Sequence, residues 1–327
     1  MSMNKRIICA AMAAAAIVAC EKKEAKLPGG DGQTVTLEVT VPVEKTKALT
    51  SASESAVNNC QVLVYSASSG VLETHEEAGS SSVTVTCTKG PKQIVALVNA
   101  PDMSSAVTYS QLLEARSHLE ENSLQSLVME GCRTVDPDTA ASVTVDVRRL
   151  VSKVRLVKVE TAFEKEEYYD LGFRINSVYL INVAADKKWL ADAGDPAEWY
   201  NKLGYESSDC DALLYDAVSG AALTTEDKIY DTEHVFYCYP NPNDEDSFEE
   251  EFTPRPTRLV VEASIGEDTF FYPVSLPELK RNTVYDVSIS VKRPGVLDPN
   301  DDIEKKEASV SINIVGWGNP VDVPEEF

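Results

Sequence analysis

Histidine is scarce in this chain, with three in 327 residues, and positive charge is outnumbered, with 30 Lys and Arg against 53 Asp and Glu. A formal net charge of −23 leaves no basic stripe to neutralise phosphates, which argues against nucleic acid as a partner. His75, His118 and His234 are predicted in a polar loop, a helix and a strand, and none has metal-ligand spacing such as two histidines four apart on a helix. There is no Gly-x-Ser-x-Gly elbow, no Walker loop and no dinucleotide glycine fingerprint. The chain therefore reads as no enzyme, with no cofactor and no resident metal. Arginine is absent between Arg6 and Arg116. Long apolar runs are missing too, the one near the amino terminus being too short to cross a bilayer.

That short run is informative. Lys5 and Arg6 precede an almost wholly apolar stretch that stops at Cys20 and turns at once into charge, the layout of a secretory signal peptide over residues 1–19. Ile17, Val18, Ala19 and Cys20 match a bacterial lipobox, in which Cys20 is lipidated and becomes the new amino terminus. The alternatives are an ordinary signal peptide with a chance cysteine, or an uncleaved anchor. Several acyl chains, at about 0.8 kcal/mol per buried CH₂, would hold the protein at a membrane for practical purposes permanently. Residues 20–33 are polar and contain Gly and Pro, which predicts a lipidated, flexible tether with the fold beginning near Thr34.

Beyond Cys9 and Cys20 the cysteines are Cys60, Cys87, Cys132, Cys210 and Cys238. Their odd number and their spacing fit no zinc pattern and allow at most two disulfides. Buried small hydrophobes are the simpler expectation. The acidic stretches DPNDD (298–302) and NDEDSFEEE (243–251) have the oxygens a calcium site needs but not EF-hand spacing, so solvated loops are expected. Trp189, Trp199, Tyr168 and Tyr169 are candidates for an aromatic sugar platform, partial burial being the plainer expectation.

Most of the chain alternates apolar and polar residues, the period of half-buried strands. Strands are expected at 34–41, 60–67, 82–88, 93–100, 142–147, 150–161, 173–184, 234–240, 257–265, 269–276, 283–293 and 308–317. Twelve short strands indicate antiparallel β-sandwiches, and length allows two domains. A basic, valine-rich stretch at 147–158 suggests the division: an N-terminal sandwich over 34–152 and a C-terminal one over 153–327. One helix is expected over 108–122, where Thr108 and Gln111 suit a capping box. A second, weaker one falls at 195–204.

Two terminal strands alternate most strictly. The first places Val35, Leu37, Val39 and Val41 on one face and runs into a hydrophilic connection at 44–59 that carries Lys45 and Lys47, a type of loop prone to proteolytic nicking. The last places Val310, Ile312 and Ile314 on one face. A sandwich that loses a terminal strand exposes an apolar groove with bare backbone edges, which the strand of an identical molecule can fill. Burying the last strand's three residues would contribute roughly 5–9 kcal/mol before entropy costs. The same pattern also fits two strands that simply complete their own domains.

Cys20, CQVLVYSASSGVLE (60–73), KGPKQIVALVNAP (89–101), RRLVSKVRLVKV (148–159), SVYLINVA (177–184), LKRNTVYDVSISVKRPGVLDPND (279–301) and SVSINIVGWGNPV (309–321) together resemble the fimbrillin family, lipoprotein precursors of type V pilus subunits. The resemblance spans the mature chain and rests on the order and spacing of segments, none of which is a signature alone. It implies two tandem transthyretin-like antiparallel β-sandwiches with one or two short helices, export to the outer membrane on a lipid anchor, and removal of the first strand by a protease. Other fimbrial subunits would be the partners, joined by donor-strand exchange in a surface fimbrium that contributes to adhesion. Here the removed strand would carry Val35, Leu37, Val39 and Val41, and the donor Val310, Ile312 and Ile314. Processing in the family is commonly after arginine, so Lys47, or else Lys45, stands in for it, or the subunit stays untrimmed as a membrane anchor. A monomeric, glycan-binding surface lipoprotein is the main rival reading, and a lipid-anchored hydrolase the other.

Overall fold

The computed structural model describes residues 33–42, 53–138, 142–192, 196–244 and 254–317. Cys20, Lys45, Lys47, the signal and nearly all of the tether lie outside them, as does most of 243–251.

Along the chain run β1 (Thr34–Thr40), β2 (Cys60–Ser66), β3 (Leu72–Ala78), β4 (Ser82–Thr88), β5 (Lys92–Val98), β6 (Arg116–His118), β7 (Met129–Val135), β8 (Ser142–Thr144) and β9 (Arg148–Arg149). Then follow β10 (Ser152–Thr161), β11 (Phe173–Ile181), β12 (Val183–Ala184), β13 (Asp186–Lys188), β14 (Trp199–Tyr200), β15 (Tyr215–Leu223) and β16 (Ile229–Tyr230). The last are β17 (His234–Cys238), β18 (Arg258–Ile265), β19 (Asp268–Ser275), β20 (Thr283–Val291) and β21 (Ala308–Gly316). Among the described residues three short α-helices accompany them: α1 (Tyr109–Glu114), α2 (Glu167–Leu171) and α3 (Asp211–Leu214). The protein is all-β.

Sheets sort by chain position. A three-stranded sheet β4-β1-β8 faces a five-stranded sheet β3-β2-β5-β7-β9, and later strands form the sheets β16-β10-β20-β21, with β17 also on β10, and β15-β11-β18-β19. Pairing is antiparallel except for β1 with β8 and β10 with β20, two departures from the all-antiparallel expectation. One buried cluster fills the space between the first two sheets, with Leu37, Val39 and Val41 meeting Val62, Val64, Ile94, Ala96 and Val98. A larger one runs from Leu63, Tyr65 and Leu97 to Val154, Leu180 and Trp317. β2 is buried on both faces because each cluster takes one of them.

Helix α1 begins as expected, with Thr108 and Gln111 closing a capping box, but it ends at Glu114 rather than continuing to residue 122. Beyond Ala115 the chain turns into β6, which pairs with β13, where Arg116 meets Asp186 at 2.8 Å. A distant strand partner there outweighs local helix propensity. The helix expected over 195–204 is likewise corrected: Trp199 and Tyr200 form β14 against β12. His75 stands in β3 and His118 in β6, not in a loop and a helix. The strand expected over 142–147 is regular only to Thr144.

Candidate assembly site

β1 pairs with β4 along its whole length, from Thr34 with Thr88 to Thr40 with Ser82. On its other side β8 covers only Glu38 to Thr40. The first strand is thus interior over its second half and one-sided over its first, rather than a simple edge strand. Inward-pointing Leu37, Val39 and Val41 are 0%, 0% and 1% exposed, while Val35 is partly buried. Full burial of those three contributes roughly 5–9 kcal/mol. Ser82 donates to Glu38 at 2.8 Å on the outer face, and Val41 N–H donates to the Ser81 carbonyl at 2.8 Å. Without β1, the facing edges of β4 and β8 would be bare above Val62, Val64 and Ile94.

β21 is the mirror case. It pairs through nine residues with β20 and is the last strand of its sheet, so among the described residues no strand pairs with its outer edge. Its apolar face is poorly covered: Val310 is 38% and Ile314 48% exposed, and Ile312 is partly buried. Val310 and Ile312 line an open groove of about 600 Å³ with Pro273, Val274 and Ile303. Both ends of the strand are pinned by buried Ala308 and Trp317. Val35, Leu37 and Val39 and the trio Val310, Ile312 and Ile314 repeat the same two-residue spacing with polar residues between, so the two strands present equivalent apolar stripes.

Residues from four separated stretches of chain form a buried polar cluster that sequence reasoning missed. Glu54, 2% exposed, accepts from Lys153 Nζ at 2.7 Å and from the Tyr237 hydroxyl at 2.5 Å. Burial, with the Glu54 carboxylate beside it, pushes the Tyr237 phenol far up, so it remains a donor. Arg149 donates from Nε to the Glu54 carbonyl at 2.8 Å and from its terminal nitrogens to Ser55 Oγ at 2.9 Å and the Trp317 carbonyl at 3.4 Å. Its guanidinium lies 4.5 Å from the Trp317 ring centre, and Tyr237 stacks on that ring at 5.7 Å. The signal in the sequence was the basic stretch at 147–158, which supplies Arg149 and Lys153.

No protein-family model matches the sequence, and no curated protein does. Solved structures do match in shape. A candidate cell adhesion protein from Bacteroides eggerthii superposes with a TM-score of 0.68 at 18% identity, over 88% of this chain and 97% of that one. A fimbrilin from Porphyromonas gingivalis gives 0.61 at 15%, over 87% and 98%. The fold is that of the fimbrilins. The tip fimbrial protein Mfa3 from Porphyromonas gingivalis, with a C-terminal truncation, shares it at a TM-score of 0.54 and 14% identity, over 87% of this chain and 100% of that one.

Within this fimbrilin fold the stretch 298–302 and the aromatic candidates sit much as the plainer sequence expectations have them, exposed or partly exposed and partly buried respectively, save for the fully buried Trp189. Around residues 298–302 the loop's oxygens are gathered by the buried Arg258 guanidinium. Arg258 donates to the carbonyls of Asn300 and Asp301 at 2.7 and 3.0 Å and to Asp302 Oδ1 at 2.7 Å. Trp189 is buried at 1% exposure and is lost to any aromatic platform. Tyr168 and Tyr169 pack on Phe163, whereas Trp199 lies in β14 under the Lys202 ammonium. Among the described residues no three His, Cys, Asp or Glu side chains are grouped to hold a metal, and no helix is long and apolar enough to cross a membrane. Cys60, Cys87, Cys132, Cys210 and Cys238 are free thiols, all buried except the partly buried Cys132.

Proposed function

We propose that this chain is a non-enzymatic structural subunit of a cell-surface fimbrium, exported as an outer-membrane lipoprotein through Cys20 and contributing to adhesion. A protease cutting after Lys47, or Lys45, removes the strand that carries Val35, Leu37, Val39 and Val41. The C-terminal strand of a neighbouring subunit then fills the vacated slot with Val310, Ile312 and Ile314, and the joints repeat along a fibre. The two sandwiches, 34–152 and 153–327, act as slot and donor respectively.

One observation carries the reading. The chain buries three side chains of its first strand in a slot, and its last strand carries an equally spaced apolar stripe left half exposed beside an edge that no described strand pairs. Its likeness in fold to fimbrial proteins agrees with this. The absence of arginine between Arg6 and Arg116 favours, as a second reading, a subunit that is never trimmed and anchors the fibre to the membrane.

Limited digestion with a lysine-specific protease, followed by unheated denaturing gel electrophoresis, tests the proposal. Cleavage near Lys47 should produce a ladder of oligomers that collapses to monomer on boiling. A cleaved protein that remains monomeric overturns assembly by strand exchange and leaves the glycan-binding lipoprotein. Ladders from cleaved protein combined with an uncut chain on cells identify the anchor.

A further inference from the structure

Three segments that matter for assembly meet at Arg149. Val41 and Pro42, at the exit of β1, line a crevice of about 20 Å³ together with Ser55 and Arg149. Glu54 and Ser55, in the described end of the connection that carries Lys45 and Lys47, are held by Arg149, Lys153 and Tyr237. Trp317, immediately after β21, lies against the same Arg149 and Tyr237, and its N–H donates to the Asn282 carbonyl at 3.1 Å. The end of the strand to be removed and the end of the strand to be donated thus share one arginine.

We propose that Glu54 and Arg149 form a latch that keeps the C-terminal strand docked in its own subunit while β1 is seated, and frees it when β1 leaves. The inference rests on the assembly reading above and adds how the donor is released. Before it can serve a neighbour, β21 must leave the nine-residue ladder with β20, and Trp317 is the buried residue that fastens its far end. Trp317 holds through the face of its ring, because its indole Nε1 is buried without a hydrogen-bond partner among the described residues, a position that costs stability. What offsets that cost is the cation on the ring, and the Arg149 guanidinium is fixed in turn by the Glu54 backbone carbonyl and Ser55 Oγ, while the Glu54 carboxylate holds Lys153 and Tyr237 against the same ring. Hydrolysis after Lys47 would leave Glu54 close to a new chain end, and departure of β1 would strip Val41 and Pro42 from the crevice. Water then reaches Arg149, its contact with the ring weakens, and β21 peels from Trp317.

Amide hydrogen exchange on the intact chain reads the latch before any assembly. Glu54→Gln, which loosens the carboxylate's hold on the Lys153 and Tyr237 that flank the Trp317 ring, should raise exchange of the 308–317 amides by about tenfold, an ordinary size for coupling between sites, while 173–181 and 258–265 stay as in the unaltered protein. Coupling is reciprocal, so Trp317→Phe should raise exchange at 53–66 with the same two segments unchanged. A rise confined to the neighbourhood of each substitution, or a uniform rise along the chain, overturns the latch. Gel ladders after digestion are scored separately. If exchange couples the two segments but cleaved protein never assembles, the latch stands and the fimbrial reading falls. If assembly proceeds but the segments do not couple, the reverse holds.

Discussion

Leu37→Ala and Ile314→Ala form a pair of perturbations whose ranking should invert on assembly. In the intact chain Leu37 is 0% exposed between two sheets, whereas Ile314 is 48% exposed on the last strand of its sheet. Truncating a fully buried leucine costs about 2–5 kcal/mol through lost transfer energy and the cavity left behind. Truncating a half-exposed isoleucine should cost under about 1 kcal/mol, since much of its surface is already in water. Urea unfolding followed by circular dichroism measures both as midpoint shifts at constant slope. After strand removal Leu37 departs with its segment, so ladders made from Leu37→Ala protein should melt like unaltered ones. Ile314→Ala ladders should dissociate at a lower temperature, because that side chain would now be buried in the neighbour's slot. A Leu37→Ala cost below about 1 kcal/mol, or Ile314→Ala ladders as heat-resistant as unaltered ones, would refute the reasoning.

Other outcomes follow from buried groups. Glu130 is fully buried with Lys187 at 3.2 Å and Arg281 on the same oxygen, and burial holds the Lys187 ammonium below its ordinary pKa. Glu130→Gln should therefore lower stability by about 3–5 kcal/mol in urea melts, with Lys187→Met in the same background recovering part of it; a shift under about 1 kcal/mol contradicts this. Burial raises the Glu121 carboxyl above its ordinary value of 4.5, against the pull of Ser117. Its contribution is complete below that value and is lost as pH rises through the elevated one, so stability measured across mildly acidic pH should fall more steeply than in Glu121→Gln. Burial pushes the Cys60 thiol up to about 11 and that of Cys238 up to about 12, so alkylation at neutral pH should spare both until urea unfolds the chain. Modification of either in the native protein counts against the packing.

Strict alternation made β1, β4, β20 and β21 legible in the sequence, because each has one face in a core or on a sheet face of constant character. β3 escaped notice since LETHEEA has almost no apolar stripe; it is an edge strand whose side chains are all at least partly exposed. β15, with its Ala and Gly, was hidden for a similar reason. The capping box located the start of α1 correctly, but its end depended on Asp186, seventy residues away from Arg116. That β8 would flank β1 in parallel was also out of reach, since alternation says which face is buried and nothing about who the neighbour is. The same limit hid the Glu54 cluster, whose members come from four separated stretches of chain.

Arg258 supplies its loop with a cation that cannot diffuse away. A loop with this many oxygens, if it relied on a dissolved divalent ion, would tighten and slacken as the surrounding medium changed, and a chelator would loosen it. With a tethered guanidinium at its centre, the loop's carbonyls are held by a group that no chelator removes, while the largely exposed Asp302 arm of the contact stays open to screening by salt.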